Sequence, residues 1–162
     1  MEKLTFRLAT KGDIKAFEDI REEDLHNLHL ERISKQKEKK AEYFIVFLRN
    51  QPVGHVFINY DNKGYLYTIL EDIYVKKQFR KKGIAKKIVF FAERHLKQRG
   101  QKEIGLEADI ENKWLNKFYE DLGYKRISGP HKNTYILKDK GNKELVEVVY
   151  RLKKSLKYLN FA

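Results

Sequence analysis

The chain has 162 residues, 41% of them apolar and 13% aromatic, and a net charge of +12. One domain of this length buries about two thirds of the surface its unfolded chain exposes, so a core forms without covalent staples. There is no cysteine, which excludes disulfides, thiol catalysis and cysteine-ligated zinc or iron–sulfur chemistry. The longest apolar runs, Tyr43 to Leu48 and Ile88 to Ala92, fall far short of the roughly 20 residues a membrane helix needs. The first residues hold no apolar leader, and a cytoplasmic location is the expectation.

In chain order, Leu4 to Ala9 alternates as a first strand, and Thr10 with Asp13 has capping-box spacing before Ile14, Phe17 and Ile20. A second helix is expected from about Glu22 to Ser34, with Leu25, Leu28 and Ile33 inward. Tyr43 to Leu48 and Val53 to Tyr60 read as strands around a hairpin at Arg49, Asn50, Gln51 and Pro52. Asp61 to Gly64 is a second turn and Tyr65 to Val75 a longer strand. Gly83 opens the clearest helix, where Ile84, Ile88, Val89, Ala92 and Leu96 recur at helical spacing until Gly100 ends it. Lys102 to Ala108 is a strand. Asn112 to Leu122 is a helix with Trp114, Leu115, Phe118, Tyr119 and Leu122 on one side. Short strands at Tyr124 to Ile127 and Thr134 to Leu137 precede a long one at Leu145 to Leu152. The pattern predicts a mixed α/β domain over residues 1–162, without repeats or linkers.

Charge is uneven along this order. Ten basic residues and three acids lie between Glu71 and Gly100, whereas Glu18 to Asp24 holds five acids and one base. A basic strand–turn–helix suits an anion: free N–H groups and the positive dipole end at the start of a helix attract phosphate, and a small residue lets it approach. Here Gly83 and Ala85 are the small residues, and Arg80, Lys81 and Lys82 add neutralising charge.

Two motifs then converge. Arg80, Gly83 and Ala85 fit an Arg/Gln-x-x-Gly-x-Gly/Ala turn, and Asn112, Tyr119, Gly123 and Tyr124 follow as Asn…Tyr…Gly-aromatic. Together with Val75 ending the preceding strand and the element order, the chain resembles the GCN5-related N-acetyltransferase superfamily, most strongly over 65–125. Ala85 stands where a second glycine is commoner, and Tyr124 where phenylalanine is.

The resemblance implies a mostly antiparallel mixed sheet of six to seven strands flanked by about four helices. It implies acetyl-CoA as co-substrate, no metal, and direct attack of a primary amine on the thioester. By the same carry-over, Lys81, Lys82, Gly83, Ile84, Ala85 and Lys86 hold the pyrophosphate, with Arg80 beside them. The strand edge at Ile73, Tyr74 and Val75 bonds the pantetheine arm, Asn112 contacts the cofactor, and Tyr119 is both a cofactor contact and the general acid. Glu71 is the expected general base, with Asp72 turned to the other face by strand alternation; Glu107, Asp109 and Glu111 are weaker substitutes. In relatives the first two helices line the acceptor side, where Glu18, Asp19, Glu22, Glu23 and Asp24 suit a cationic amine. The acceptor is a small-molecule or protein amine, the protein a monomer or homodimer, and the C-terminal 156–161 segment a candidate contact between copies. No membrane partner is expected. His26 and His29 share a helix face but lack a third metal ligand, whereas His55 and His95 read as structural. Two alternatives stand beside this: a basic nucleic-acid-binding module, although no RNA-recognition, KH or zinc signature is present, and a non-catalytic acyl-CoA sensor on the same fold.

Overall fold

The computed structural model describes residues 3–61, 68–157 and 159. Its strands are β1 (Leu4–Leu8), β2 (Ala41–Leu48), β3 (Gln51–Asn59), β4 (Thr68–Val75), β5 (Glu103–Asp109), β6 (Lys125–Leu137) and β7 (Lys143–Ser155). They form one sheet in the order β1-β2-β3-β4-β5-β7-β6, in which only the β4–β5 pairing is parallel. The helices are α1 (Ile14–Ile20), α2 (His26–Lys37), α3 (Ile84–Gln98) and α4 (Lys113–Asp121). This is the seven-strand, four-helix α/β fold the resemblance implies.

Alternation along the strands sends apolar side chains to both faces, so each face carries its own core. On one side Ile84, Ile88, Val89, Ala92 and Leu96 of α3 pack on Val46, Val56, Ile58 and Leu106. On the other, Phe17, Ile20 and Ile33 from α1 and α2 cover Tyr43, Ile45 and Phe57. Phe17 stacks on Tyr43 with ring centroids 4.4 Å apart, and His29 on Phe17 at 4.9 Å.

Local chemistry explains most boundaries. The Asp13 carboxylate accepts the Thr10 N–H at 2.7 Å and is gripped by both Arg7 guanidinium nitrogens, at 2.9 and 3.0 Å. Arg49 and Asn50 both take left-handed φ, 51° and 65°, which makes the two-residue hairpin whose twist suits its strands. Gly83, at φ 79°, caps α3 and Gly100, at φ 82°, ends it.

Several expectations are corrected. Helix α2 begins at His26, not Glu22. His29 and Arg32, expected on no inward face, are buried there beside Ile33. His26 stays exposed near Glu18, while His29 Nδ1 meets the Tyr43 hydroxyl at 2.9 Å, so the two histidines do not converge. Trp114 is 70% exposed, stacked on Phe118, because it lies on the outer flank of the α4 stripe. The strands expected at 124–127 and 134–137 are two ends of β6, interrupted by register shifts between Arg126 and His131. Leu156 is fully buried in the core rather than offered to a partner. Residues 62–67 of the second turn and third long strand, and 158 and 160–161 of the C-terminal segment, lie outside the described residues.

Tyr124 explains its own departure from phenylalanine. Its hydroxyl donates to Glu93 Oε2 at 2.9 Å, and Lys154 Nζ reaches the same oxygen at 2.9 Å, tying α3 to β7 through a carboxylate 1% exposed. Removing a hydrogen bond to a buried charge costs about 1.5–3 kcal/mol. Tyr124→Phe is therefore expected to lower the unfolding free energy from urea melts by that amount, with the fold intact as read by far-UV circular dichroism.

Candidate active site

Strands β4 and β5 pair only at Thr68 with Ile104 and Ile69 with Gly105. Beyond Ile69 they part, so the β5-facing edge of β4 from Leu70 to Val75 has no strand partner among the described residues. Its other edge stays bonded to β3 through Gly54–Val75 and His55–Tyr74. Ligands in open α/β sheets bind where neighbouring strands separate at their carboxyl ends, because backbone groups and helix N-termini face the gap. Both helices that follow, α3 after β4 and α4 after β5, start beside this opening.

The turn between β4 and α3 is built for close approach. Lys81 and Gly83 take φ of 63° and 79°, and a Cβ placed on Gly83 meets nothing within 4 Å, so the space beside its backbone is open. Residues of the first helical turn have no intrahelical acceptor for their N–H groups. The exposed Lys81 and Lys82 flank them. Arg80 Nε donates to the Val75 carbonyl at 2.9 Å and its guanidinium lies over the Tyr74 ring, bracing the turn.

A cavity of about 930 Å³ lies beside the strand gap, walled by α2, β4, β5, the start of α4 and the β6–β7 hairpin. Glu71, Asp72, Ile73, Glu107, Asp109, Asn112 and Tyr119 line it, so the structure brings together seven residues the sequence singled out; Asp72 was not expected there. Strand alternation fails at Asp72, which has φ 48° and shifts the β3–β4 register, and both neighbouring acids reach the cavity wall. Asp72 is committed elsewhere, accepting from Arg32 Nη1 at 2.8 Å and Arg21 Nη1 at 3.3 Å. Burial would raise its pKa, but Arg32, His55 and Arg21 outweigh that and hold it far below the usual carboxylate range. Glu71 instead accepts from the Asn59 amide at 3.1 Å.

Asn112 caps α4, its Oδ1 accepting the Leu115 N–H at 3.0 Å. One and two turns on, Asn116 and Tyr119 are both buried. The Tyr119 ring packs edge-on against Phe118 and Tyr124, at 5.1 and 5.5 Å, and no described residue hydrogen-bonds its hydroxyl. Burial, and secondarily the charge of Asp72, push its pKa well above that of free tyrosine. It is a neutral phenol at physiological pH.

None of Glu18, Asp19, Glu22, Glu23 and Asp24 lines the cavity, although Leu28, Glu31, Arg32 and Lys35 of α2 do. Asp19 pairs with Lys76 at 2.8 Å and Glu23 with Arg21 and Lys140. The acids that do line it are Glu31, Glu71, Asp72, Glu107, Asp109 and Glu147. Glu147 was not anticipated; burial, then the charges of Asp109 and Glu107, raise its pKa. Its signal in the sequence is slight, since an acid in an alternating strand reads as solvent-facing.

A family model described as acetyltransferase (GNAT) family matches residues 8–124. The chain belongs to the GNAT family. GCN5-related N-acetyltransferase 4, chloroplastic, of Arabidopsis thaliana is 36% identical over 66 residues, which make up 41% of this chain and 23% of that protein. The chain thus matches less than a quarter of that curated relative's length. Spermidine N-acetyltransferase from Vibrio cholerae, solved with CoA and spermine, superposes with a TM-score of 0.74 at 17% identity, covering 97% of this chain and 98% of that one. The PaiA N-acetyltransferase of Thermoplasma acidophilum, in complex with coenzyme A, gives 0.72 at 15% identity, covering 94% and 99%. The ribosomal-protein-S18-alanine N-acetyltransferase of Escherichia coli gives 0.71 at 14%, covering 98% and 100%. At such identity these structures share the GNAT fold with this chain. No helix among the described residues is long and apolar enough to cross a membrane.

Proposed function

We propose that this GNAT-family protein transfers the acetyl group of acetyl-CoA to a primary amine on a cationic acceptor. The observation that carries the reading is the unpaired edge of β4 running into the glycine-capped start of α3, with Tyr119 on the wall of the adjoining cavity. The open space at Gly83 and the free amides of the first helical turn fit a pyrophosphate. Lys81, Lys82, Ile84, Ala85 and Lys86 would hold it, and Ile73, Tyr74 and Val75 would offer backbone groups to the pantetheine amides. Asn112, whose side chain caps α4, contributes mainly by fixing the helix that carries Tyr119.

Bound acetyl-CoA supplies an activated thioester carbonyl. Glu71 accepts a proton from the acceptor ammonium, directly or through water, and so frees the nitrogen lone pair. As the C–N bond forms and the C–S bond breaks, Tyr119 gives its phenolic proton to the departing sulfur, and the proton the nitrogen still carries passes through water to the resulting phenolate, leaving a neutral amide, a free thiol and a restored phenol. Asp72 is unsuited to the base role because its proton affinity is held far too low. The acids on the cavity wall support a positively charged acceptor, and among the described residues Glu71, Asp109 and Glu147 have no ion-pair partner. The spermine-bound Vibrio cholerae structure is in keeping with that class.

Calorimetric titration with acetyl-CoA tests the reading. Wild type is expected to bind in the micromolar range, and Gly83→Glu to lose binding because a carboxylate fills the anion's place. Gly83→Asn, which tolerates left-handed φ, keeps most of it. Absence of binding to wild type would overturn the proposal.

A further inference from the structure

Helix α2 has no cap of its own. The residue before it is Leu25, which offers no side-chain acceptor, and Asp24 reaches only the His26 N–H at 3.5 Å. The cap comes from the far wall of the cavity. Residues Lys138–Lys140 make a single turn at the tip of the β6–β7 hairpin, followed by Gly141 and Asn142 at φ 65° and 58°. From that turn Asp139 Oδ1 accepts the Asn27 N–H at 3.0 Å and Oδ2 the Leu28 N–H at 3.2 Å. On either side of it, Lys138 Nζ meets Glu31 at 2.9 Å and Lys140 Nζ meets Glu23 at 3.1 Å.

These contacts join the two walls that face one another across the cavity. Leu28, Glu31 and Arg32 line it from α2, and residues 134–137 line it from β6. The line of polar contacts continues inward, since the second oxygen of Glu23 takes Arg21 Nε at 2.7 Å and Arg21 reaches Asp72. The two lysine pairs are exposed or half-exposed, and such pairs hold weakly. A carboxylate satisfying two orphan amides at a helix N-terminus holds more firmly, because donor direction and helix dipole act together.

We propose that the hairpin tip is a strap that sets the width of the amine side of the cavity, with Asp139 the positioning residue that fastens it to α2. The role in acceptor binding rests on the acetyltransferase reading; the fastening itself does not.

Hydrogen exchange and steady-state kinetics on the full chain test it, with wild type, Asp139→Ala, Asp139→Asn and Lys138→Gln. Losing a cap of ordinary strength speeds exchange of the Asn27 and Leu28 amides about five- to tenfold in Asp139→Ala. Asp139→Asn, which keeps one acceptor oxygen, lies between, and Lys138→Gln stays near wild type. With spermidine as probe amine, KM for the amine rises at least about threefold in Asp139→Ala, from the same weakened cap, and falls back towards wild type in Asp139→Asn. KM for acetyl-CoA holds. Unchanged exchange at Asn27 and Leu28 overturns the strap. A parallel rise in both KM values overturns its assignment to the amine side. Failure of the wild type to bind coenzyme A sinks the acetyltransferase reading instead, and the exchange data still decide whether Asp139 fastens the tip.

Discussion

Tyr119→Phe is expected to lower kcat by about a hundredfold to ten-thousandfold, the range for removing a positioned general acid. The loss should appear in kcat rather than in KM for acetyl-CoA. The ring that packs against Phe118 and Tyr124 is retained, and only a hydroxyl with no protein partner among the described residues is lost. Stability should change little for the same reason. The wild-type pH profile carries a second signature. Burial and the charge of Asp72 both raise the Tyr119 pKa, so its acid form persists through the ordinary tyrosine range. Activity should therefore show no descending limb up to about pH 10, where a free phenol would already be half ionised. A modest fall in kcat for Tyr119→Phe would move the acid role elsewhere.

Asp72→Asn is expected to cost about 3–5 kcal/mol, because it leaves a buried guanidinium without its counter-charge. Arg32 is 8% exposed, bonds the Tyr43 hydroxyl at 3.2 Å and lies over the Tyr43 and Phe57 rings. It has nowhere to regain solvent. Total stabilities run to about 5–15 kcal/mol, so the loss is a large share. The double variant Arg32→Met, Asp72→Asn should be more stable than Asp72→Asn alone, since it removes the stranded charge with its partner. The sign of the pH effect follows from the depressed pKa of Asp72. Its stabilisation is complete above the ordinary aspartate value of about 3.9 and declines as pH falls below it. Urea melts of wild type and Asp72→Asn should thus converge in acid and differ most near neutrality. A constant gap at every pH would mean that the ion pair is not what the asparagine removes.

The legible parts of this molecule were those whose cause lies within a few residues. Helix α3 could be read from Gly83 to Gly100 because its periodic apolar residues and both terminating glycines are local features. The β2–β3 hairpin was legible for the same reason, its two left-handed residues sitting between two β-branched and aromatic runs. The faces of Glu71 and Asp72 were not. Alternation assigns them to opposite sides unless the backbone turns left-handed at Asp72, where Arg21 and Arg32, distant in sequence, bind the carboxylate. The long β6 strand was split in two because turn-like residues around Gly129 and Pro130 interrupt its pattern while β7 still pairs beyond them. The acids of the cavity wall escape a sequence reading because charge clustering along the chain is visible in sequence, whereas clustering across strands is not. Glu107, Asp109 and Glu147 come together only through the β5–β7 pairing, in which Asp109 faces Val149 and Glu107 faces Arg151. Asp139 is hidden likewise, a cap more than a hundred residues from the helix it serves.

The most direct test of the central claim is acetyl transfer itself, followed with wild type and Tyr119→Phe on acetyl-CoA and spermidine. The products would be weighed by mass spectrometry and the released thiol counted. The account predicts one acetyl group gained by the amine for each thiol released by wild type, and turnover lower by about a hundredfold or more for Tyr119→Phe. Tight binding of acetyl-CoA with no thiol released on spermidine or any other primary amine would contradict it, and would leave a coenzyme-binding protein that performs no transfer.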